Sequence, residues 1–319
     1  MKPASFNPWV FRAALATAAI TWLLTIAMGA QVTTRGAGMA FPDWPSSDGQ
    51  NMFLYPWLQS TGDKFLEHGH RLAGSLIGLM SIALVAIVWG LEKRRWVCWM
   101  ATAVLLGVIV QGILGGQRVL VDSLGLACLH GIFGSWVFAL MCSLALVTSR
   151  NWFNAVEDRQ SHVCRRTWTA AWTLVVTVAL QYVLGALLRH QGKVLYEHMG
   201  FAAAVVFASL WNLYAAYYSK SPWLMRSAMF IVGMVMLQGI VGFAAYGARF
   251  GFGGDHVVQA GSLIQTVIRT SHVLVGMLVW MAAVTHVLRV ARLASVRRVS
   301  GRVTDIVLTG PVSISGGVG

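Results

Sequence analysis

Eight apolar runs of about twenty residues each constrain this chain more than any other feature. They fall at about 12–31, 70–91, 96–116, 129–149, 167–187, 198–218, 225–246 and 271–289. A helix of that length spans the roughly 30 Å hydrocarbon core of a bilayer. The chain is therefore expected to be an all-α integral membrane protein with eight transmembrane helices. Composition agrees, since 57% of the 319 residues are hydrophobic and 11% are charged, whereas soluble domains carry about a quarter charged residues. The net charge of +13 does not point to nucleic acid, because the basic residues lie in short clusters between apolar runs, as at a lipid surface. Lys2 and Arg12 precede the first run in the manner of a signal peptide. That run is long for such a segment and ends in no A-x-A site, so it reads as the first membrane helix. The four cysteines form no CxxC, no disulfide framework and no zinc spacing.

An even number of crossings puts both termini on one side, and the basic residues identify that side. Sixteen of the 24 lysines and arginines, among them Lys93, Arg94, Arg95, Arg165 and Arg166, fall on the side of the termini, leaving eight on the other. The positive-inside rule then places both termini in the cytoplasm of a multi-pass plasma-membrane protein. Residues 293–319 form a cytoplasmic tail, and the Gly-, Ser- and Val-rich stretch from Gly301 is expected to be loose.

An internal repeat organises the crossings. Odd-numbered helices end in related words, Gln111-Gly-Ile-Leu-Gly115, Gln181-Tyr-Val-Leu-Gly185 and Gln238-Gly-Ile-Val-Gly242, whose small residues suit close helix contact. Even-numbered helices begin at His70, His130, His198 and His272. The expected architecture is two tandem pseudo-symmetric four-helix bundles, residues 1–150 and 151–292. Each histidine lies 17 to 23 residues before the first cytoplasmic basic residue of its helix, so all four stand at one depth near the outer face.

Imidazoles facing each other across a bundle are the usual axial ligands of a haem. Two pairs, His70 with His130 and His198 with His272, therefore imply two haem sites. Zinc or copper is the alternative metal, but it wants a third or fourth ligand, and only Glu67 and Glu197 are in reach. A second alternative, two haems stacked through the membrane, would use His272 and His286, fourteen residues apart. It needs another helix with that spacing, and the corresponding residues elsewhere are Leu84, Leu144 and Asn212. His286 is read as structural, as are His162, His190 and His256.

The halves differ in their acids. In Glu67-His68-Gly69-His70-Arg71 the carboxylate shares a helix face with His70, while His68 points roughly the opposite way. Glu197 is adjacent to His198 and turned about 100° from it. A carboxylate beside a bound haem can take a proton or stabilise positive charge, which makes the first half the candidate for chemistry and Glu67 its catalytic residue. At a helix mouth near water, a Glu67–Arg71 pair would add only about 0.3–0.5 kcal/mol.

These words resemble a known family. Gly29-Ala-Gln-Val-Thr-Thr-Arg-Gly-Ala-Gly-Met-Ala-Phe-Pro-Asp-Trp-Pro45 resembles the end of helix one and first outer loop of the haem A synthase family (COX15/CtaA), and Glu67-His-Gly-His-Arg71 resembles its Glu-x-x-His-Arg motif. The resemblance implies oxidation of the C8 methyl of haem O to a formyl group, by two successive hydroxylations and loss of water. It implies haem O as substrate at His70 and His130, a haem b cofactor at His198 and His272, and Glu67 near the methyl. Haem O synthase and an electron donor are the expected partners, beside membrane lipid, with no nucleic acid. Many bacterial members carry a cysteine pair in the first outer loop; here those places read Phe41 and Ser46–Ser47. Arg71, Arg118 and Arg269 are candidates to pair with haem propionates, or to snorkel to headgroups. Trp44 and Trp57 read as interfacial anchors. The rival functions are a non-catalytic dihaem electron carrier, which needs no acid at one haem, and an oxidase-assembly haem chaperone.

Overall fold

In lipid each backbone N–H and C=O needs a partner within the protein, so the apolar runs close into helices and the polar residues between them decide where those helices stop. The computed structural model describes residues 5–155, 162–251 and 261–308, with side chains as far as residue 295. Among these residues eight helices are long and apolar enough to cross a membrane: α1 Pro8–Arg35, α2 Gly62–Leu91, α3 Arg95–Leu120, α4 Leu124–Thr148, α5 Arg165–Gln191, α6 Leu195–Tyr218, α7 Pro222–Phe250 and α8, whose spanning part is Leu263–Ser295. α8 itself continues to Leu308, so the tail expected from residue 293 begins as helix, and residues 309–319 lie outside the described residues. His256 lies outside them too.

The stops are local. Asn7 accepts hydrogen bonds from the N–H groups of Trp9 and Val10, and Pro8 opens α1 where no N–H is needed. Gly36 closes α1 at a φ of 72° and Gly192 closes α5 at 68°, the left-handed conformation that glycine adopts without a Cβ penalty. Within α1, Thr21–Ile26 is wound as a π-helix, a local widening found often at functional positions.

Four helices begin well before their apolar runs. α2 starts at Gly62 rather than near residue 70, and α8 at Leu263 rather than near 271. Helix ends are set by caps and backbone partners, not by hydropathy, so Asp63, Lys64 and Glu67 interrupt the apolar pattern without interrupting the helix. The Glu67–Arg71 word consequently lies inside α2, two turns from its start.

α4 and α8 are the most enclosed helices, with 61% and 50% of their apolar windows buried against 17–33% for the others. They carry His130 and His272, and the more peripheral α2 and α6 carry His70 and His198. Polar contacts cross the middle: Trp280 donates to the Ser135 carbonyl at 3.1 Å, Trp22 to the Leu274 carbonyl at 3.1 Å, and Tyr182 to the Gly131 carbonyl at 3.4 Å. One apolar cluster joins Ala139 of α4 to Leu174, Ala208, Ile231 and Ala283 of the last four helices.

Candidate functional site

The N-terminal ends of the even-numbered helices bring the four histidines together in the two expected pairs. His70 and His130 have ring centroids 6.4 Å apart with planes at 87°. His198 and His272 repeat this at 6.3 Å and 83°. All four rings are partly accessible between the helices. A ring centroid lies roughly 1.1 Å from its own nitrogen, and a metal–imidazole bond is about 2.0–2.1 Å. Two imidazoles on opposite sides of one ion would therefore stand about 6.3 Å apart, and both pairs fit. Among the described residues no group of three His, Cys, Asp or Glu is placed to hold a metal ion. A bare divalent ion that wants four ligands is poorly served by two. An iron that brings its own porphyrin nitrogens needs only the two axial imidazoles.

His70 has a further feature of a ligand. Its Nδ1 lies 3.0 Å from the Thr25 carbonyl oxygen, which lies in the π-helical turn of α1. That bond puts the proton on Nδ1 and leaves the Nε2 lone pair free, the arrangement metal-ligating histidines use. His68, two residues away, points elsewhere as its position requires. It is fully buried under the loop between α1 and α2, 3.1 Å from Ser47 Oγ and packed on Tyr55 and Phe41. Phe41 and Ser47 thus hold the loop by packing and a hydrogen bond. All four cysteines of the chain are free.

Glu67 differs from its sequence-based description in its surroundings. It is 2% exposed. Its Oε1 accepts from Arg71 Nη2 at 2.8 Å, and its Oε2 accepts from the N–H groups of Ala40 at 2.7 Å and Phe41 at 3.3 Å. Arg71 in turn donates to the carbonyls of Asp43 at 2.9 Å, Ser46 at 2.8 Å and Phe41 at 3.4 Å, and stacks on the Phe41 ring. The pair is a buried one tying the loop to α2, not a water-exposed pair at a helix mouth. The reason is that the loop folds back over the helix start, which no local pattern reveals. Glu197 remains exposed, so the halves are as unequal as their spacings implied.

The loop carries its own order. Asp43 accepts from the N–H groups of Asp48 and Gly49 at 3.1 and 2.9 Å. Burial acts to raise the Asp43 carboxyl, and the bonds from Ser46, Gly49 and Asp48 outweigh it, leaving it below its ordinary value. Trp44 and Trp57 are not simple surface anchors. A Cβ built at Gly116 would collide with the Trp44 ring, and one at Gly69 would stand 3.0 Å from the Trp57 ring. The indoles fill notches that only glycine provides, and Trp57 also donates to the Phe65 carbonyl at 2.8 Å.

Of the three arginines considered for propionates, Arg71 is committed to the loop. Arg118 donates to the Gly38 carbonyl at 3.0 Å and Arg269 to the Thr34 carbonyl at 3.4 Å. Arg189, which sequence reasoning passed over, donates to the Ala30 carbonyl at 2.6 Å and to Thr34 Oγ1 at 3.2 Å. Among the described residues, Arg118, Arg189 and Arg269 have no carboxylate within ion-pairing distance. The one signal for Arg189 was its position at the C-terminal end of an apolar run. His286 is fully buried, with Nδ1 3.0 Å from Ser227 Oγ and Nε2 without a hydrogen-bond partner.

Comparison with known proteins points the same way. Residues 55–198 match the COX15-CtaA family, described as cytochrome oxidase assembly protein. A protein of Bacillus mycoides (strain KBAB4) named Heme A synthase is 30% identical over 143 residues, which is 43% of this chain and 43% of its own length. One of Bacillus cereus (strain 03BB102) with the same name is 30% identical over 139 residues, 42% of each chain. The chain thus matches less than half the length of these relatives. The matched segment holds the Glu67–Arg71 word and three of the four paired histidines, and across it this multi-pass membrane protein is similar to the COX15-CtaA family.

Proposed function

We propose that the chain is a haem A synthase that binds haem O between His70 and His130, oxidises its C8 methyl to a formyl group, and keeps a haem b between His198 and His272. The observation that carries this reading is the pair of imidazole clefts at 6.4 and 6.3 Å, each the width of one iron with two axial nitrogens. The haem groups supply the redox chemistry, and the protein binds, orients and electrostatically biases the porphyrin. Two hydroxylations of the methyl, each removing two electrons from the carbon to an oxidant that the chain itself does not supply, followed by loss of water from the gem-diol, would complete the change to the aldehyde. The equal geometry of the halves supports two tandem pseudo-symmetric bundles, residues 1–150 for substrate and 151–292 for haem b. The basic bias supports a plasma-membrane location with both termini in the cytoplasm. Haem O synthase and an electron donor are the partners this function requires.

Glu67 is the residue we place beside the methyl. Its two oxygens already accept from three donors, so taking up a proton would break one of those bonds. That favours stabilisation of positive charge at the oxidised carbon over proton transfer. Arg118, Arg189 and Arg269, without carboxylate partners of their own among the described residues, suit the two propionates of a porphyrin. The equality of the two pairs would also suit a dihaem electron carrier, and pigment extraction separates the readings. Haem O or haem A beside haem b is expected in the purified protein, and haem b alone would refute the synthase. Glu67→Gln should keep haem b and accumulate haem O or its hydroxymethyl form. A normal yield of haem A from that variant would remove Glu67 from the reaction.

A further inference from the structure

The four histidines are not merely at one depth; each rests on the same kind of seat in the helix before it. A Cβ built at Gly29, Gly115, Gly185 or Gly242 would stand 2.8, 3.0, 3.1 or 2.9 Å from Cε1 of His70, His130, His198 or His272. Real Cβ atoms rarely come so close, so each imidazole lies edge-on against a backbone that glycine alone leaves open. One helical turn earlier on the same face stands a residue that also meets the histidine. In three helices it is glutamine. Gln111 Nε2 donates to the His130 carbonyl at 2.9 Å and Gln181 Nε2 to the His198 carbonyl at 2.9 Å, while Gln238 Nε2 lies 3.4 Å from His272 Nε2. In α1 it is Thr25, whose carbonyl oxygen meets His70 Nδ1.

The polar accounting divides along the same line. Nδ1 of His130, His198 and His272 is buried without a hydrogen-bond partner, and so is Oε1 of Gln111, Gln181 and Gln238. His70, whose seat has Thr25 in place of glutamine, has its Nδ1 satisfied. Three orphaned donor positions thus share their seats with three orphaned acceptors, a coincidence that buried polar groups rarely show. Room for the carboxamide is built in as well. A Cβ at Gly134 or Gly276, one turn after His130 and His272, would stand 2.7 or 3.1 Å from Nε2 of Gln111 or Gln238.

We infer that the words Gln111–Gly115, Gln181–Gly185 and Gln238–Gly242 are histidine-orienting seats, in which glycine sets the ring against the helix and the glutamine Oε1 accepts the Nδ1 proton when Nε2 is a ligand. A ligating imidazole donates its second N–H to an acceptor that fixes its orientation and raises its basicity. The glutamines are therefore positioning residues, and at His272 the carboxamide, whose Nε2 now faces the ring Nε2 at 3.4 Å, turns to Nδ1 once Nε2 is a ligand. The His70–His130 site is asymmetric, with a backbone carbonyl on one ligand and a carboxamide on the other. A side-chain substitution can weaken only one of those two bonds.

This inference rests on the haem reading above, and the test keeps the two apart. Redox titration and low-temperature electron paramagnetic resonance of the purified holoprotein would be compared for wild type, Gln181→Met, Gln238→Met and Gln181→Glu. A more basic imidazole stabilises the oxidised iron. Both methionine variants should keep a low-spin spectrum while their midpoint potential rises, and Gln181→Glu, with a stronger acceptor of the same shape, should lower it. Gly185→Ala should alter the resonance spectrum through ring rotation. If a methionine variant loses its haem, the isosteric Gln181→Glu decides the sign. A haem-loaded Gln181→Glu with an unchanged or raised potential would overturn the seats. A wild type without any low-spin haem would instead overturn the proposed function.

Discussion

Replacing Arg71 by methionine removes a guanidinium that joins α2 to three loop carbonyls and to Glu67. The aliphatic length is kept, so the packing against Phe41 survives in part. Glu67 is left 2% exposed with two backbone N–H groups but no countercharge. Removing one partner of a buried pair costs about 3–5 kcal/mol. At tenfold per 1.4 kcal/mol, the loop should open roughly 10²- to 4 × 10³-fold more often. Amide hydrogen exchange at Ala40 and Phe41, the two groups bonded to Glu67, reads that opening directly. Glu67→Gln should accelerate the same amides less, because only an amide N–H₂ is turned toward a donor, at about 1–3 kcal/mol. The double variant should exchange more slowly than the sum of the two effects implies, since no charge is left buried. Exchange at Ala40 and Phe41 that stays within threefold of wild type in Arg71→Met would refute the clamp, leaving Arg118, Trp44 and His68 as the anchors of the loop.

Three other outcomes are expected. His198→Ala or His272→Ala should abolish the stable low-spin haem signal, whereas His190→Ala and His286→Ala should leave the spectrum unchanged, with His286→Ala less thermally stable because Ser227 loses its imidazole partner. Reporter fusions at Gly49 and Glu92 should give opposite signals, as the first lies in the outer loop and the second on the basic side; matching signals would remove the eight-crossing topology. The Asp43 carboxyl is held below its ordinary value of 3.8 in the folded loop, so its contribution is present above the unfolded value and lost as pH falls through the folded one. Loop protection measured by exchange should therefore drop on acidification below about pH 4, and Asp43→Asn should flatten that dependence.

The eight membrane-length helices and the common depth of four histidines follow from the chain's order alone. Each is a matter of spacing along one helix, where 1.5 Å per residue and a 30 Å core leave little freedom. The pairing of His70 with His130 and of His198 with His272 was legible for the same reason, since one histidine per even helix at one depth permits few other partners. The word Gln-x-x-x-Gly was visible too, but read only as close helix contact; that its glycine carries an imidazole needs the neighbouring helix in place. Tertiary structure alone decided the state of Glu67. Its partners Ala40 and Phe41 lie 27 and 26 residues away in a loop without regular structure, and no periodicity registers a loop that folds back over a helix. Arg189 meets Ala30 across 159 residues, and Trp44 finds its notch at Gly116 on a different helix. Spacing fixes depth and face along a single helix, whereas contacts between distant segments depend on how helices and loops pack, and there the burial of a charge or the absence of one Cβ decides what a residue does.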